Sequence, residues 1–199
     1  MYFVVGQDAR PDGYEVVNET TAWAAWLARN IPDGLCPDVR RRLFSNLKHL
    51  LVGLEFKAAL ITGHHNRSVG DRPVLFESYF QILIHEFCVG AFSVIEGLGA
   101  AHWLRGEGRD GSDADYVPRA RWLAALCTVY DPEGQHGLMA NIETTLGVRD
   151  RLHQDRLGAR AAIDWHSFTY DAAYVPASAA VRCLLARAAD AVPEGSNLR

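Results

Sequence analysis

The stretch from Pro73 to Arg105 repeats its apolar side chains every three or four positions, as an α-helix requires. Asp71 stands where a helix N-cap belongs, and Pro73 suits the first helical turn. One face carries Phe76, Phe80, Leu83, Phe87, Val94 and Leu98, and the other side carries a mixed stripe of His85, Val89, Phe92, Glu96 and Trp103. A helix that is apolar on both sides must be covered on both sides. We therefore expect this helix to be central in the fold or to lie in an interface.

A second long helical pattern covers residues 38–61, where leucines recur at threes and fours until Gly63. The polar segment after it, residues 63–68, predicts a loop, so the two long helices should pack antiparallel. Adjacent His64 and His65 in such a loop suggest a metal site, but no ligand stands three or four positions away. We interpret these histidines as structural or incidental.

The rest of the chain predicts shorter elements around this pair. A small β-hairpin appendage is expected over residues 1–17. Further helices are expected over 18–30, 118–130, about 135–154 and 176–191, followed by a frayed tail at 193–199. The segment 161–171 reads as irregular; its Asp164 and His166 either line a site or serve in packing. The sequence thus predicts an all-α fold, an antiparallel bundle of five to six helices forming a single domain over residues 1–199.

Composition narrows the functional classes. The chain has 199 residues, of which 49% are hydrophobic, enough for one core. A net charge of −4 argues against a globally basic nucleic-acid binder but permits a local basic patch. The four cysteines form no CxxC pair, and Met1 is not followed by a basic and apolar leader. The apolar runs are interrupted before the ~20 residues that a bilayer requires. We expect a soluble, cytoplasmic protein that does not contact a membrane.

Sequence motifs for cofactors and metals are missing. The chain has no GxxxxGK[ST], GxGxxG, GxSxG or HExxH pattern. A di-iron bundle needs two inward-facing Glu-x-x-His pairs, and the one such pair, Glu133 with His136, lies in a predicted turn. The sequence therefore predicts no cofactor and no metal.

The helix predicted near residue 150 has an unusual inner face. Leu138, Ile142 and Leu146 form an apolar stripe, which Arg149, His153 and Arg156 then continue. Charged groups on a buried stripe need partners or a cleft, because burying an unpaired charge costs several kcal/mol. His85 and Glu96 of the central helix are the candidate partners, and Glu96 is favoured because a carboxylate can bind a guanidinium through two hydrogen bonds.

The segment Val148-Arg149-Asp150-Arg151-Leu152-His153-Gln154-Asp155 resembles the motif of the HEPN superfamily. Members are helical bundles with an arginine, a polar residue directly after it and a histidine soon after, on a late helix. The apolar segment 91–101, with Glu96, is similar to the family's long central helix. The resemblance implies a homodimer whose paired motifs cleave RNA without a metal. Three residues separate Arg149 from His153 here, whereas catalytic members have four to six.

The resemblance also implies roles for single residues. His153 would accept the proton of the 2′-hydroxyl, and Arg149 would stabilise charge on the scissile phosphate. Asp150 would orient Arg149 or a histidine of the partner protomer, while Arg151, Arg156 and Arg160 would contact phosphates. These roles fit an endoribonuclease or RNA-binding protein of a defence or toxin system. The alternative is a non-catalytic helical dimer that binds a cognate protein partner, with Arg149 and His153 in a buried polar network.

Overall fold

A computed structural model describes residues 18–67, 77–113, 116–150 and 165–199, and the backbone of 2–4 and 14–16. Two short antiparallel strands, β1 (Tyr2–Val4) and β2 (Tyr14–Val16), form the expected hairpin, with Tyr2 opposite Val16. The helices in the described ranges are α1 (Ala24–Asn30), α2 (Pro37–Arg67), α3 (Glu77–Gly106), α4 (Arg119–Tyr130), α5 (Leu138–Asp150) and α6 (Val175–Ala186). The predicted all-α class and helix number are confirmed.

The two longest helices, α2 and α3, pack antiparallel. Lys57 of α2 lies 3.6 Å from Glu86 of α3, measured between Nζ and Oε2. Further along α3, Gly97 adjoins Leu43, which lies earlier in α2. Contacts that advance along α3 while they retreat along α2 require opposite chain directions, so the predicted packing is confirmed.

Helix α3 is the centre of the bundle and contacts α2, α4, α5 and α6. Both predicted stripes contribute buried side chains, such as Phe87 on one side and Phe92 on the other. By length and composition α3 is also the one described helix that could span a bilayer, with a mean hydropathy of 1.5 over its most apolar window. The core helix of a folded domain meets the same two requirements, and α3 is such a helix.

The predicted loop after residue 61 is wrong, because α2 continues through Gly63 to Arg67. A glycine inside a helix costs only about 1 kcal/mol relative to alanine. Tertiary contacts offset that cost: the His64 ring packs on Phe80 with centroids 4.2 Å apart, and the His65 ring stacks on Tyr170 at 3.6 Å. His64 and His65 are therefore side chains of a helix end and not of a loop.

Helix α1 begins at Ala24, later than the expected residue 18, and residues 20–23 form a turn before it. Trp23 and Trp26 are fully buried, as the sequence predicts. The turn is held by Glu55 of α2, a fully buried carboxylate that accepts hydrogen bonds from the backbone and side-chain amides of Asn18 and from Trp23 Nε1. This polar contact joins the start of α1 to the middle of α2.

The tail at 193–199 does not fray as expected. Leu198 is only 2% exposed, and its backbone amide donates to Ser196 Oγ at 3.2 Å. The guanidinium of Arg199 donates to the carbonyl of Val192 at 2.7 Å. A buried leucine at the end of a polar segment was sufficient to fold the segment back onto the core.

Helices α5 and α6 differ from their predicted ranges mainly at their ends. Asp131 caps the start of α5, where its carboxylate accepts from the backbone amides of His136 and Leu138 at 3.1 Å each. The expected extension of α5 to residue 154 lies outside the described residues. Helix α6 ends at Ala186, and a short 3₁₀ turn, Ala189–Ala191, follows it.

Candidate functional site

Arg149, the residue on which the sequence hypothesis depends, lies in the last turn of α5. Its guanidinium sits over the ring of Phe92 on α3, with Cζ 4.9 Å from the ring centroid. The side chain is 39% exposed, so one side of the guanidinium rests on the ring while part of it stays accessible. A cation over an aromatic face is attracted by the ring without losing its charge. Arg149 is thus a positioned cation at the surface.

The ring of Phe92 is held rigidly in turn. Phe92 is 2% exposed, and Trp122 of α4 packs edge-on against it with centroids 5.7 Å apart. Three helices therefore meet at this point, with α4 and α5 contributing side chains to opposite parts of one α3 residue. The cation rests on a platform that belongs to the core.

His85 lies two turns before Phe92 on the same side of α3, and it is 8% exposed. The rings of Phe168 and Trp165 surround it at centroid distances of 5.3 and 6.2 Å. Burial lowers the pKa of His85, against the opposing effects of a hydrogen bond to the backbone of Arg149 and the charge of Glu86. His85 is therefore a neutral imidazole at pH 7. Its Nε2 is buried and has no hydrogen-bond partner among the described residues.

The short helix Trp165–Ser167 brings a second histidine to α3. Gln81 Nε2 donates to Nδ1 of His166 at 3.2 Å and also lies 3.2 Å from a carboxylate oxygen of Glu77. His166 itself is exposed. The segment after residue 164 therefore both packs on α3, through Trp165 and Phe168, and presents an imidazole beside His85. Asp164, its expected neighbour, lies outside the described residues.

The predicted site residues are only partly brought together. Asp150 Oδ1 lies 3.6 Å from Arg149 Nη1, and the backbone of Arg149 influences the pKa of the His85 imidazole. Glu96 does not pair with Arg149; it is exposed and lines a groove with Arg42 and Trp122 between α2, α3 and α4. Glu96 lies one turn beyond Phe92, about 6 Å further along α3, and the Arg149 guanidinium stops over the Phe92 ring. His153, Arg151, Arg156 and Arg160 lie outside the described residues.

The described residues near this site do not favour a cysteine nucleophile or a metal site. Burial raises the pKa of the Cys88 thiol to about 12, and its Sγ donates to the carbonyl of Ala173 at 3.5 Å. A thiol held protonated in this way is a poor nucleophile. Within the described ranges, no three His, Cys, Asp or Glu side chains are grouped so that they could hold a metal ion.

The sequence analysis did not assign three aromatic residues to this site. Phe92 was assigned to a packing stripe, and its spacing of seven from His85 was the signal that both face the same neighbour. Trp165 and Phe168 gave no comparable signal, because they follow an irregular segment whose direction the sequence does not determine.

Comparison of the chain with protein-family models, with curated proteins and with solved structures gave no match.

Proposed function

We propose that the protein is a HEPN-like RNA-binding protein in which Arg149 contacts a phosphate of single-stranded RNA. The supporting observation is the half-exposed guanidinium of Arg149, fixed over the buried Phe92 ring 4.9 Å away. A guanidinium presents a planar set of donors that matches phosphate oxygens, and here its position is set by packing before a ligand arrives. Asp150, at 3.6 Å, restrains the same group from one side.

The proposal includes metal-independent cleavage, with His153 as the general base and Arg149 as the group that stabilises charge on the phosphate. Arg151, Arg156 and Arg160 would add phosphate contacts. His85 is not suited to the role of cation, since its burial keeps it neutral. It is instead a packing residue, whose ring lies against those of Phe168 and Trp165.

Binding and cleavage can be tested separately. Fluorescence anisotropy with a labelled single-stranded RNA, over a range of salt concentrations, measures binding, and incubation of the RNA with EDTA measures metal-independent cleavage. Arg149→Gln should weaken binding and reduce the slope of log K against log salt by about 0.7, the value for one phosphate contact on a single strand. His153→Ala should abolish cleavage while it leaves binding nearly unchanged.

Arg109 offers a matched control. Its side chain is 38% exposed and its guanidinium also lies over an aromatic ring, that of Trp103, at 5.7 Å. Arg109→Gln removes the same charge from a comparable position, over the aromatic ring of a different α3 residue. Equal weakening by Arg109→Gln and Arg149→Gln, or no RNA binding by the unmodified protein, would refute the proposal.

The alternative is a non-catalytic module that binds a cognate protein or a second copy of the chain. His85 supports it, because a buried imidazole packed against the rings of Phe168 and Trp165 has a structural role in the core. Of the mixed stripe on α3, His85 and Phe92 are buried within the chain, whereas Glu96 is exposed and Val89 and Trp103 are half-buried. Under this alternative, Arg149→Gln lowers the melting temperature and the protein binds no RNA. Light scattering at several micromolar concentrations determines whether a homodimer forms.

A further inference from the structure

A second candidate site lies on the α6 side of the bundle. A groove of about 360 Å³ opens between α6, the segment before it and the turn that precedes α5. Small-molecule sites commonly have volumes of roughly 300–1,000 Å³. The polar and aromatic side chains that line this groove are His136, Tyr170, Tyr174, Ser178, Arg182 and Cys183. None of them belongs to the Arg149 site.

The backbone at the rim of the groove is unusual. Residues Tyr170–Tyr174 form a π-helix that runs directly into α6, and Thr169 caps it by accepting a hydrogen bond from the Ala172 amide at 3.2 Å. π-Helical turns are rare and occur often at functional sites. This turn places the rings of Tyr170 and Tyr174 side by side, with centroids 5.0 Å apart, along the groove.

The groove is rich in hydrogen-bond donors. Arg182 is exposed, and within the described part of the chain it forms no ion pair. Ser178 is buried at the base of the groove, and His136 stands across from α6. A guanidinium, a hydroxyl and an imidazole that converge on one space suit a ligand with several acceptor oxygens.

Tyr174 provides an independent indication of a ligand. It is 2% exposed, and its buried hydroxyl meets no acceptor among the described residues. The nearby Ser178 hydroxyl lowers the pKa of Tyr174, which is the effect of a donor to the phenol oxygen, so the Tyr174 O–H group itself still lacks an acceptor. Burial raises the pKa of Tyr174 to about 12, so the hydroxyl remains a protonated donor. A buried donor without an acceptor is unfavourable. Because Tyr174 lines the groove, a group in the groove can supply the acceptor.

We propose that this groove binds a small phosphate monoester that carries a ring. The phosphate would accept from Arg182, Tyr174 and Ser178, and the ring would pack against the face of Tyr170 opposite the one on which His65 stacks. A phosphate monoester offers three terminal oxygens and a charge of about −1.5 to −2 to these donors, so it interacts more strongly with the Arg182 guanidinium than a singly charged carboxylate would. Cys183 contributes no covalent step: its thiol donates to the carbonyl of Tyr130 at 3.5 Å, and burial raises its pKa to about 11.

Titration calorimetry with phenyl phosphate, inorganic phosphate and phenol tests this assignment. Phenyl phosphate should bind saturably at one site, inorganic phosphate more weakly, and phenol not measurably. Arg182→Gln should weaken phenyl phosphate at least tenfold. Tyr174→Phe should also weaken it while raising the melting temperature of the free protein, because the unmatched hydroxyl is removed.

Two matched controls separate this site from other cations. Arg187 lies five positions after Arg182, is exposed and rests over the Tyr130 ring at 5.5 Å, so Arg187→Gln should leave phenyl phosphate binding unchanged. Arg149→Gln should also leave it unchanged, which makes the result independent of the RNA proposal. The inference is overturned if phenyl phosphate does not bind saturably, if Arg182→Gln binds it as tightly as the unmodified protein, or if Tyr174→Phe gains stability without losing affinity.

Discussion

The close approach of α3 to α4 depends on Gly99, and replacing it should have a measurable cost. A Cβ added to Gly99 would lie 2.8 Å from both the carbonyl oxygen and the ring atom Cε3 of Trp122. Ordinary contacts begin near 3.4 Å, so the two helices would have to separate by about 0.6 Å. The obstructing oxygen belongs to the backbone and cannot rotate away. We therefore expect Gly99→Ala to destabilise the protein despite the better helix propensity of alanine.

The expected size follows from two opposing terms. Overpacking a well-packed core costs typically about 1–3 kcal/mol, and alanine recovers roughly 1 kcal/mol of helix propensity. The net loss is therefore up to about 2 kcal/mol, which corresponds to a melting temperature lower by up to about 8 °C for a chain of this length.

Gly147 is the matched control for Gly99. It lies inside α5, and an added Cβ there would meet nothing within 4 Å. Gly147→Ala should therefore keep the propensity gain without the clash and raise the melting temperature by about 2–4 °C. Circular dichroism measures the melting temperatures of the two variants and of the unmodified protein. If Gly99→Ala melts as high as Gly147→Ala, the close approach of α3 to α4 is not as described.

Two further predictions concern buried polar groups. Burial, assisted by the charge of Arg187, lowers the pKa of His102 from 6.5 to about 4. Between these two pH values the unfolded chain binds protons more readily than the folded one. The stability of the fold should therefore decrease as the pH drops through this range. Denaturant unfolding from pH 7 to pH 4 should show that the free energy of unfolding falls by up to about 3 kcal/mol, and His102→Gln should remove most of this fall. If the variant shows the same dependence of the free energy of unfolding on pH, the assignment is wrong. Glu55→Ala should cost about 2–4 kcal/mol, because it leaves the donors of Asn18 and Trp23 without their acceptor, whereas Glu143→Ala on the exposed face of α5 should be nearly neutral in the same melts.

The helical core was predictable because its pattern is long and repetitive. The spacing of leucines in α2 and the two stripes of α3 identify both helices and their antiparallel packing. The end of α2 was not predictable, since Gly63 and the polar residues after it are ordinary signals of a loop. Helix continues there because His64 and His65 pack on Phe80 and Tyr170, which are distant in sequence.

The candidate site was predictable in part for a similar reason. His85 and Arg149 occupy the inner faces of their own helices, so periodicity indicates that they can meet. The actual partner of Arg149 depends on the position of α5 along α3, which a one-dimensional pattern does not specify. That position places the guanidinium over Phe92 and leaves Glu96, one turn further along α3, in another groove.

The attachment of α1 has a consequence for how the chain folds during its synthesis. Trp26 Nε1 donates to the carbonyl of Arg187 at 3.0 Å, and Arg29 forms an ion pair with Asp190. Each contact spans 161 positions of sequence. While the ribosome is still adding the intervening helices, the indole of Trp26 lacks its hydrogen-bond acceptor and the segment that follows α6. Nascent chains halted before Arg187 should therefore expose Trp26, bind hydrophobic probes and be the species that chaperones recognise, and this exposure should end once the α6 region has been released.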